Sequence, residues 1–549
     1  MNPGGPTEYK VLQPLILAVC IIVGMMAGYK MNEIPEDSLV DVSKIDGNHK
    51  NSSVGRVEEL IRYIDSKYID KIDDDVMIED AIQAVFKSLD PHSIYISPSE
   101  VQDVNTQMNG HYKGIGIENY LIDDTVVISS VLTDSPAERS GLKIFDKIIA
   151  INDTVIAGKS LSFDTIRKML IPTTEGAITL DILRNGTPKK FTLIPDDIQI
   201  SSVHPYLFDS LQTLLVKIDR FGSKTYQEFM LAIETYFEKN SSAKHLILDL
   251  RNNPGGYLPE ATNILCQLFK EKDKILVYTE GRNRKRNDYK TNGKAFFNIE
   301  KIIVLIDENS ASASEIVAGA IQDWDRGIII GRRSFGKGLV QEQFPLNNGG
   351  AMRLTVARYY TPSGRSIQRD YSDRPNYETD LDARFLHGDL FNKDSILVHD
   401  TATYTSLILN RPMKASGGIS PDIFISMDTI YKDPHLFGIQ ELLSEYTFRY
   451  ITKQKLNFER VEDILSWKIP NNYYEGLISF AYEDHAPKRK NFTFHHLDSE
   501  VKKMMVKYFF GKDIAQKYFI KVDPFVKKSM NIIQNNILLE NLESFSSYN

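Results

Sequence analysis

Ile302-Ile-Val-Leu-Ile-Asp-Glu-Asn-Ser-Ala-Ser-Ala-Ser-Glu315 is the stretch on which the fold turns. Ile302 to Ile306 is an unbroken aliphatic run and reads as a strand. Ser314 to Trp324 follows at helical spacing, so the small residues between them form a strand-to-helix turn. The same unit recurs upstream. Leu246-Ile-Leu-Asp-Leu250 precedes the helical stretch Leu258 to Phe269, and Leu214-Leu-Val-Lys-Ile218 precedes Tyr226 to Phe237. Ile328-Ile-Ile330 supplies another strand. This alternation, from 205 to about 430, predicts an α/β core with parallel strands.

On the N-terminal side, residues near 111 to 195 predict a compact β domain with one or two helices. Thr125 to Val131, Lys147 to Asn152, Ala177 to Leu183 and Lys190 to Ile194 read as strands, with a turn at Asn185-Gly186. Ser135-Pro-Ala-Glu-Arg-Ser-Gly141 reads as a capped short helix. Val57 to Leu89 has helical spacing and is stopped by Asp90-Pro91. Residues 31–54 are polar and acidic and read as a linker. Ahead of them, no charge falls between Val11 and Tyr29, and the apolar run from Leu15 to Tyr29 just spans a bilayer if Val11 and Leu12 join it. An uncleaved anchor is preferred to a cleavable signal peptide, because Met25-Met26-Ala27 is a poor small-x-small site. After about 430 the chain reads as helical and carries no motif.

The chain has 549 residues, enough for about two to four domains. A net charge of −8 without an extended basic run lacks the footprint of a nucleic-acid binder. Arg282-Asn-Arg-Lys-Arg286 is read as a solvated loop. There are two cysteines, and Cys20 lies in the apolar run, so a disulfide with Cys266 is not expected.

Ser312 falls at a helix N-terminus, where free N–H groups and the helix dipole stabilise a developing oxyanion. Read alone, Ser312 and Glu315 are more simply a Ser-x-x-Glu capping box. A nucleophilic serine also needs a base. None of the eleven histidines sits in a recognisable motif, and both His-x-x-x-His and the G-x-S-x-G elbow are absent. Lysine is the alternative. Its free pKa near 10.4 must fall by roughly three units, about 4 kcal/mol, which requires an enclosed site with few acidic neighbours. Lys337, between two glycines in Ser334-Phe-Gly-Lys-Gly338, is such a lysine, and Gln341 is placed to orient it. A phosphate-binding loop fails here, because Gly338 stands where Ser or Thr must hold magnesium. A Ser334-x-x-Lys337 nucleophile needs a helix, which Gly336 and Gly338 oppose. A third segment, Asp249-Leu-Arg-Asn-Asn-Pro-Gly-Gly256, ends a strand where open α/β sheets place their sites. Its paired glycines can present N–H groups, although alone it reads as a turn.

Together these segments resemble the carboxy-terminal processing peptidases, the tail-specific protease family S41, which are Ser/Lys proteases with an embedded PDZ domain. The resemblance runs from about 57 to 425. It includes Leu89-Asp-Pro-His-Ser93, Tyr112-Lys-Gly-Ile-Gly-Ile117, Ser135 to Leu142, Asp249 to Gly256, Ser310 to Glu315 and Ser334 to Gln341. Tyr360-Thr-Pro-Ser-Gly-Arg365 and Gly418-Ile-Ser-Pro-Asp422 complete the order. Lys143-Ile-Phe-Asp146 departs from the family, which usually carries glycine where Phe145 stands. The segment 409–418 is less glycine-rich than usual.

The resemblance implies an α/β protease core, a mixed sheet with flanking helices, joined to an N-terminal helical region, a PDZ-like β domain and a helical C-terminal extension. The expected divisions are 1–30 anchor or signal, 31–54 linker, 55–104 helical domain, 105–200 PDZ-like domain, 201–430 protease core and 431–549 extension. It implies Ser312 as nucleophile, Lys337 as general base and Gln341 as its orienting partner. The oxyanion hole would use the N–H of Ala313 and of Gly255 or Gly256, a choice left open. Gly114, Ile115, Gly116 and Ile117 would hold the C-terminal carboxylate of a protein substrate with an apolar tail. No metal or cofactor is expected, and homo-oligomerisation is left open. The anchor would hold the protein at the cell (inner) membrane as a single-pass protein, with its catalytic part in the periplasm or outside the cell. The alternative is a PDZ adaptor on an inactive or partner-activated protease scaffold.

Overall fold

The strands at residues 213–218, 245–249, 301–306 and 328–331 carry apolar side chains on both faces, so the sheet they form must be covered twice. The computed structural model describes residues 53–541 apart from 71, 172–175, 209–210, 240–243, 397–403, 416, 429–438, 483–496 and 538. The expected anchor and the linker up to residue 52 lie outside the described residues. Among the described residues, no helix is long and apolar enough to cross a membrane. The chain divides into one unit up to Ile82 and another from Gln83 onward. Helix α1 (Ser53–Lys67) belongs to the first, and α2 (Asp74–Lys87) begins in it.

After β1 (Ile94–Ile96) and α3 (Pro98–Asn109) comes a β domain closed at its base by β2 (His111–Gly114) pairing with β9 (Asp196–Gln199). Between them lie β3 (Ile117–Ile122), β4 (Thr125–Val131), α4 (Pro136–Ser140), β5 (Lys147–Ile151), β6 (Thr154–Val155), α5 (Phe163–Leu170), β7 (Ile178–Arg184) and β8 (Thr187–Leu193). The sheet order is β3-β4-β5-β7-β8, with β6 on β5, so β3 is an edge strand. Val126, Ile128, Ile148, Leu180 and Ile182 fill its core with Ile166 and Leu170 of α5.

The central sheet has the order β10 (Val203–Phe208), β11 (Thr213–Ile218), β12 (His245–Asp249), β15 (Lys301–Ile306), β16 (Ile328–Gly331) and β21 (Ile423–Phe424). All its pairs are parallel except β10 with β11. Val216, Leu248, Val304 and Ile306 face α6 (Thr225–Lys239), α7 (Leu258–Leu268) and α8 (Ala313–Asp323). Their neighbours Leu215, Ile247, Ile303 and Leu305 face the other way.

A second, antiparallel sheet is not legible in the strand–helix alternation. It contains β13 (Lys272–Gly281), β14 (Arg284–Asn292), β17 (Leu339–Pro345) and β18 (Ala351–Tyr360), with β1 on β18. Arg282 to Arg286, read as a loop, is the exposed turn and first residues of the β13–β14 hairpin. Two short helices, α9 (Arg374–Glu378) and α10 (Asp380–His387), and the small β19 (Tyr404–Thr405)–β20 (Pro412–Met413) pair follow.

The last hundred residues form α11 (Ile439–Gln454), α12 (Val461–Ser466), α13 (Asn471–Tyr482), α14 (Asp498–Phe510), α15 (Lys512–Phe519) and α16 (Pro524–Gln534). Phe525, Val526, Ile532 and Ile533 of α16 cover the second face of the central sheet. Phe448 of α11 and Tyr508 of α14 share a cluster with Ile122 and Val127 of the β domain. The extension therefore completes two cores that the rest of the chain leaves open.

Candidate active site

Ser310, Ser312 and Ser314 have different surroundings. Ser310 Oγ donates to Leu250 O at 2.9 Å and accepts from Asp307 N at 2.9 Å. Ser314 Oγ donates to Asn253 O at 3.0 Å. Both hydroxyls bind the β15–α8 turn to the segment after β12. Ser312 sits at φ 54°, ψ −114°, in the left-handed half of the backbone map, and its side chain makes no cap hydrogen bond. The capping box of the sequence is assembled, with the Ser312 side chain facing the Glu315 N–H without closing a hydrogen bond on it. Glu315 Oε2 accepts from Ser312 N at 2.8 Å, while the Ser312 hydroxyl has no hydrogen-bond partner among the described residues. Ala311 and Ala313 are buried.

The Asp249 to Gly256 segment wraps directly against this turn. Asn253 is fully buried: its Nδ2 donates to Ile218 O at 2.8 Å, its Oδ1 accepts from Gly255 N at 2.8 Å, and its carbonyl accepts from Ala311 N at 3.0 Å. Gly255, at φ 99°, is required by close approach. A Cβ there would lie 2.7 Å from Ala311 O and from Ser312 Cβ. Arg251 grips Asp249 through two hydrogen bonds of 2.8 and 2.7 Å and reaches Asp523 of the C-terminal extension at 2.9 Å.

The Lys337 segment reaches the same place through Glu315, whose carboxylate gathers donors from two loops. Ser334 Oγ (2.5 Å), Gly336 N (2.7 Å) and Lys337 N (2.9 Å) join Ser312 N on it. Burial raises the Glu315 pKa, against the pull of these four hydrogen bonds. Tyr359 makes a second tie: its hydroxyl lies within hydrogen-bond reach of Ser312 O, at 3.1 Å, and of Lys337 O, and its single proton serves one of them at a time. Arg384 supports the loop from behind, donating to Ser334 O at 2.9 Å and Phe335 O at 3.3 Å. Ser334 itself is fully buried and accepts from Ile419 N at 2.6 Å, so its hydroxyl is committed to structure. Leu339 to Pro345 after it is a strand, which removes the helix that a Ser334 nucleophile or a phosphate loop would need.

Lys337 Nζ donates to Gln341 Oε1 at 2.8 Å, and Gln341 Nε2 donates to His92 O. The His92 carbonyl therefore fixes which end of the Gln341 amide faces the lysine. Asp90 holds that carbonyl's segment in place by accepting from His92 N, Ser93 N, Ser93 Oγ and Thr355 Oγ1. Burial lowers the Lys337 pKa to about 8, and the positive charge of Arg353 adds to the shift. Asp90 and Glu315 oppose it, so the site holds more acidic neighbours than the sequence reading required, and burial outweighs them. His92, its pKa lowered to about 4 by burial and by Lys337, stays neutral and bonds Tyr377 Oη at 2.6 Å. The backbones of Ser312 and Lys337 are both tied to Glu315 and Tyr359, and among the described residues no hydrogen bond joins Ser312 Oγ to Lys337 Nζ.

Gly114, Ile115, Gly116 and Ile117 lie elsewhere, at the junction of β2 and β3. Ile115 O and Gly116 O accept from Ala137 N (2.9 Å) and Leu132 N (3.0 Å), which holds the segment against α4. Gly116, at φ 81°, has no room for a Cβ, which would meet Ser135 Cβ at 2.2 Å. The N–H groups of Ile115 and Gly116 make no hydrogen bond among the described residues.

Sequence reasoning overlooked the part played by Glu315, Tyr359, Asp90 and Arg384. Glu315 and Asp90 stood inside quoted motifs, and that was their only signal. No feature near Tyr359 or Arg384 announces which carbonyls they reach.

Comparison with known proteins identifies the family. The family model for peptidase family S41 matches residues 212–378, and that for a PDZ domain matches residues 113–194. A carboxy-terminal-processing protease of Bartonella bacilliformis is 36% identical over 330 residues, covering 58% of this chain and 74% of that one. The carboxy-terminal processing protease CtpB of Bacillus subtilis is 30% identical over 359 residues, covering 63% and 72%. The family matches and these relatives show that the chain belongs to peptidase family S41 as a carboxy-terminal processing serine protease.

Proposed function

We propose that Ser312 is the nucleophile and Lys337 the general base of an endopeptidase that reads protein C-terminal tails through its PDZ domain. The observation that carries this reading is the division of labour in Ser310 to Ser314. The two outer hydroxyls are spent on structure, and the middle one is free on a turn tied through Glu315 to the lysine. In the reaction, Ser312 Oγ attacks the scissile carbonyl carbon while neutral Lys337 Nζ takes its proton. With a pKa near 8, about one lysine in ten is neutral at pH 7. The resulting ammonium, held by Gln341, passes the proton to the leaving amine as the C–N bond breaks. Water then releases the acyl group from Ser312 by the same relay. The oxyanion would take N–H bonds from Ala313 and from Gly256, because the Gly255 N–H is already given to Asn253 Oδ1.

The tail's carboxylate would bind the N–H groups of Gly114 to Ile117, and its chain would add to β3, whose outer edge has no strand beside it among the described residues. Proteins with apolar tails are the substrate class. Residues 1–30 would anchor the enzyme in the membrane, with the protease domain on the extracytoplasmic side. The missing Oγ–Nζ hydrogen bond favours a form that aligns when a tail or partner binds, since such contacts tighten in the substrate complex.

The test is cleavage of an unstructured protein with an apolar C-terminus. Ser312→Ala and Lys337→Ala should be inactive, and Ser334→Ala should retain activity. A wild-type protein inert on every tail would move the weight to the adaptor reading.

A further inference from the structure

Edge strand β3 is not open along its whole length. Its hairpin with β4 closes through a two-residue turn, Asp123 and Asp124, both at positive φ (47° and 55°). Ile122 and Thr125 flank that turn as partners, so Ile122 points its N–H and C=O toward β4. Alternation then turns Leu121, Asn119 and Ile117 outward, toward the edge where a ligand strand would add. At Leu121 that position is taken: Arg449 Nη2, from α11 of the C-terminal extension, donates to Leu121 O at 2.7 Å.

This arginine is held in place. Glu445, one turn earlier, pairs with it at 2.7 Å. Its neighbour Phe448 is fully buried among the rings of Tyr120 (5.4 Å), Phe145 (5.2 Å, nearly parallel) and Tyr508 (4.9 Å). Phe145 is the residue that departs from the family pattern. It keeps φ 72°, where glycine would be at ease, and its ring stacks on Phe448.

We propose that Arg449 sets the upstream limit of the tail that β3 can read. A tail whose carboxylate sits at Gly114–Ile117 runs antiparallel to β3, pairs at Ile117 and Asn119, and meets the guanidinium at Leu121. Main-chain pairing then reads about four residues. This inference rests on the tail-binding reading above, and the experiment separates the two.

Binding of apolar peptides with a free C-terminal carboxylate would be measured on the full chain carrying Ser312→Ala, to prevent cleavage. A short peptide would be compared with the same peptide extended upstream by alanines. With Arg449 present, the extension should change affinity by less than about twofold. In Arg449→Ala it should tighten binding about threefold to tenfold, the worth of one or two added main-chain hydrogen bonds. Arg449→Gln, which keeps the stem and removes the fork, serves if the alanine variant does not fold. An equal response to extension with and without Arg449 overturns the proposal. Equal binding of carboxylate and amidated peptides overturns the tail-binding reading instead.

Discussion

At Glu315, four donors from two loops converge on one buried carboxylate; at Phe448, three aromatic rings from the PDZ domain and the C-terminal helices converge on one buried ring. Both places join segments far apart in the chain, by opposite means. The carboxylate is directional: each hydrogen bond fixes one named donor, and removing the acceptor takes the shared partner from donors that are buried or partly buried. The ring cluster is non-directional: its worth follows the area buried, and it tolerates repacking. A polar hub suits a site where atoms must be held in register. An aromatic mount suits the holding of one domain against another.

The comparison can be sharpened by experiment. Lys337→Ala should give the largest loss, about a thousandfold or more in kcat, with the fold intact by circular dichroism. Glu315→Gln comes next. It keeps size and one acceptor but replaces the other with a donor that faces donors, so activity should fall about a hundredfold. Glu315→Ala should also unfold about 3 kcal/mol more easily in urea, because the freed donors are buried. If Glu315→Gln keeps full activity, the hub does not position the site.

A smaller effect concerns pH. Lys337 acts as a base only when neutral, and its pKa is lowered to about 8. The pH profile of kcat/KM should therefore rise through about pH 8 and level off above it. Arg353→Gln removes a positive charge that disfavours the ammonium, so the rising limb should move to higher pH. The His92 pKa of about 4 predicts no second limb from that ring near neutrality. The mildest expected effect lies at the aromatic mount. Phe145→Gly relieves the strained φ but loses ring contact, for a net cost of about 2 kcal/mol in thermal or urea unfolding. A stabilised Phe145→Gly protein would show that strain outweighs stacking there.

What the sequence determined by itself is local. Ile302 to Glu315 sets out a strand, a tight turn and a helix, because periodicity and capping depend on near neighbours. Gly255 and Gly336 stood in legible motifs for the same reason: a turn with close backbone approach demands glycine. Tertiary structure alone decided which serine hydroxyl stays free, since Leu250 and Asn253 claim the outer two from about sixty residues away. It turned a capping glutamate into the junction of two loops. It also placed Phe145 against Phe448, and α16 across the second face of the central sheet. Apolar contact carries no directional code, so neither partner's sequence names the other, and only the folded chain brings them together.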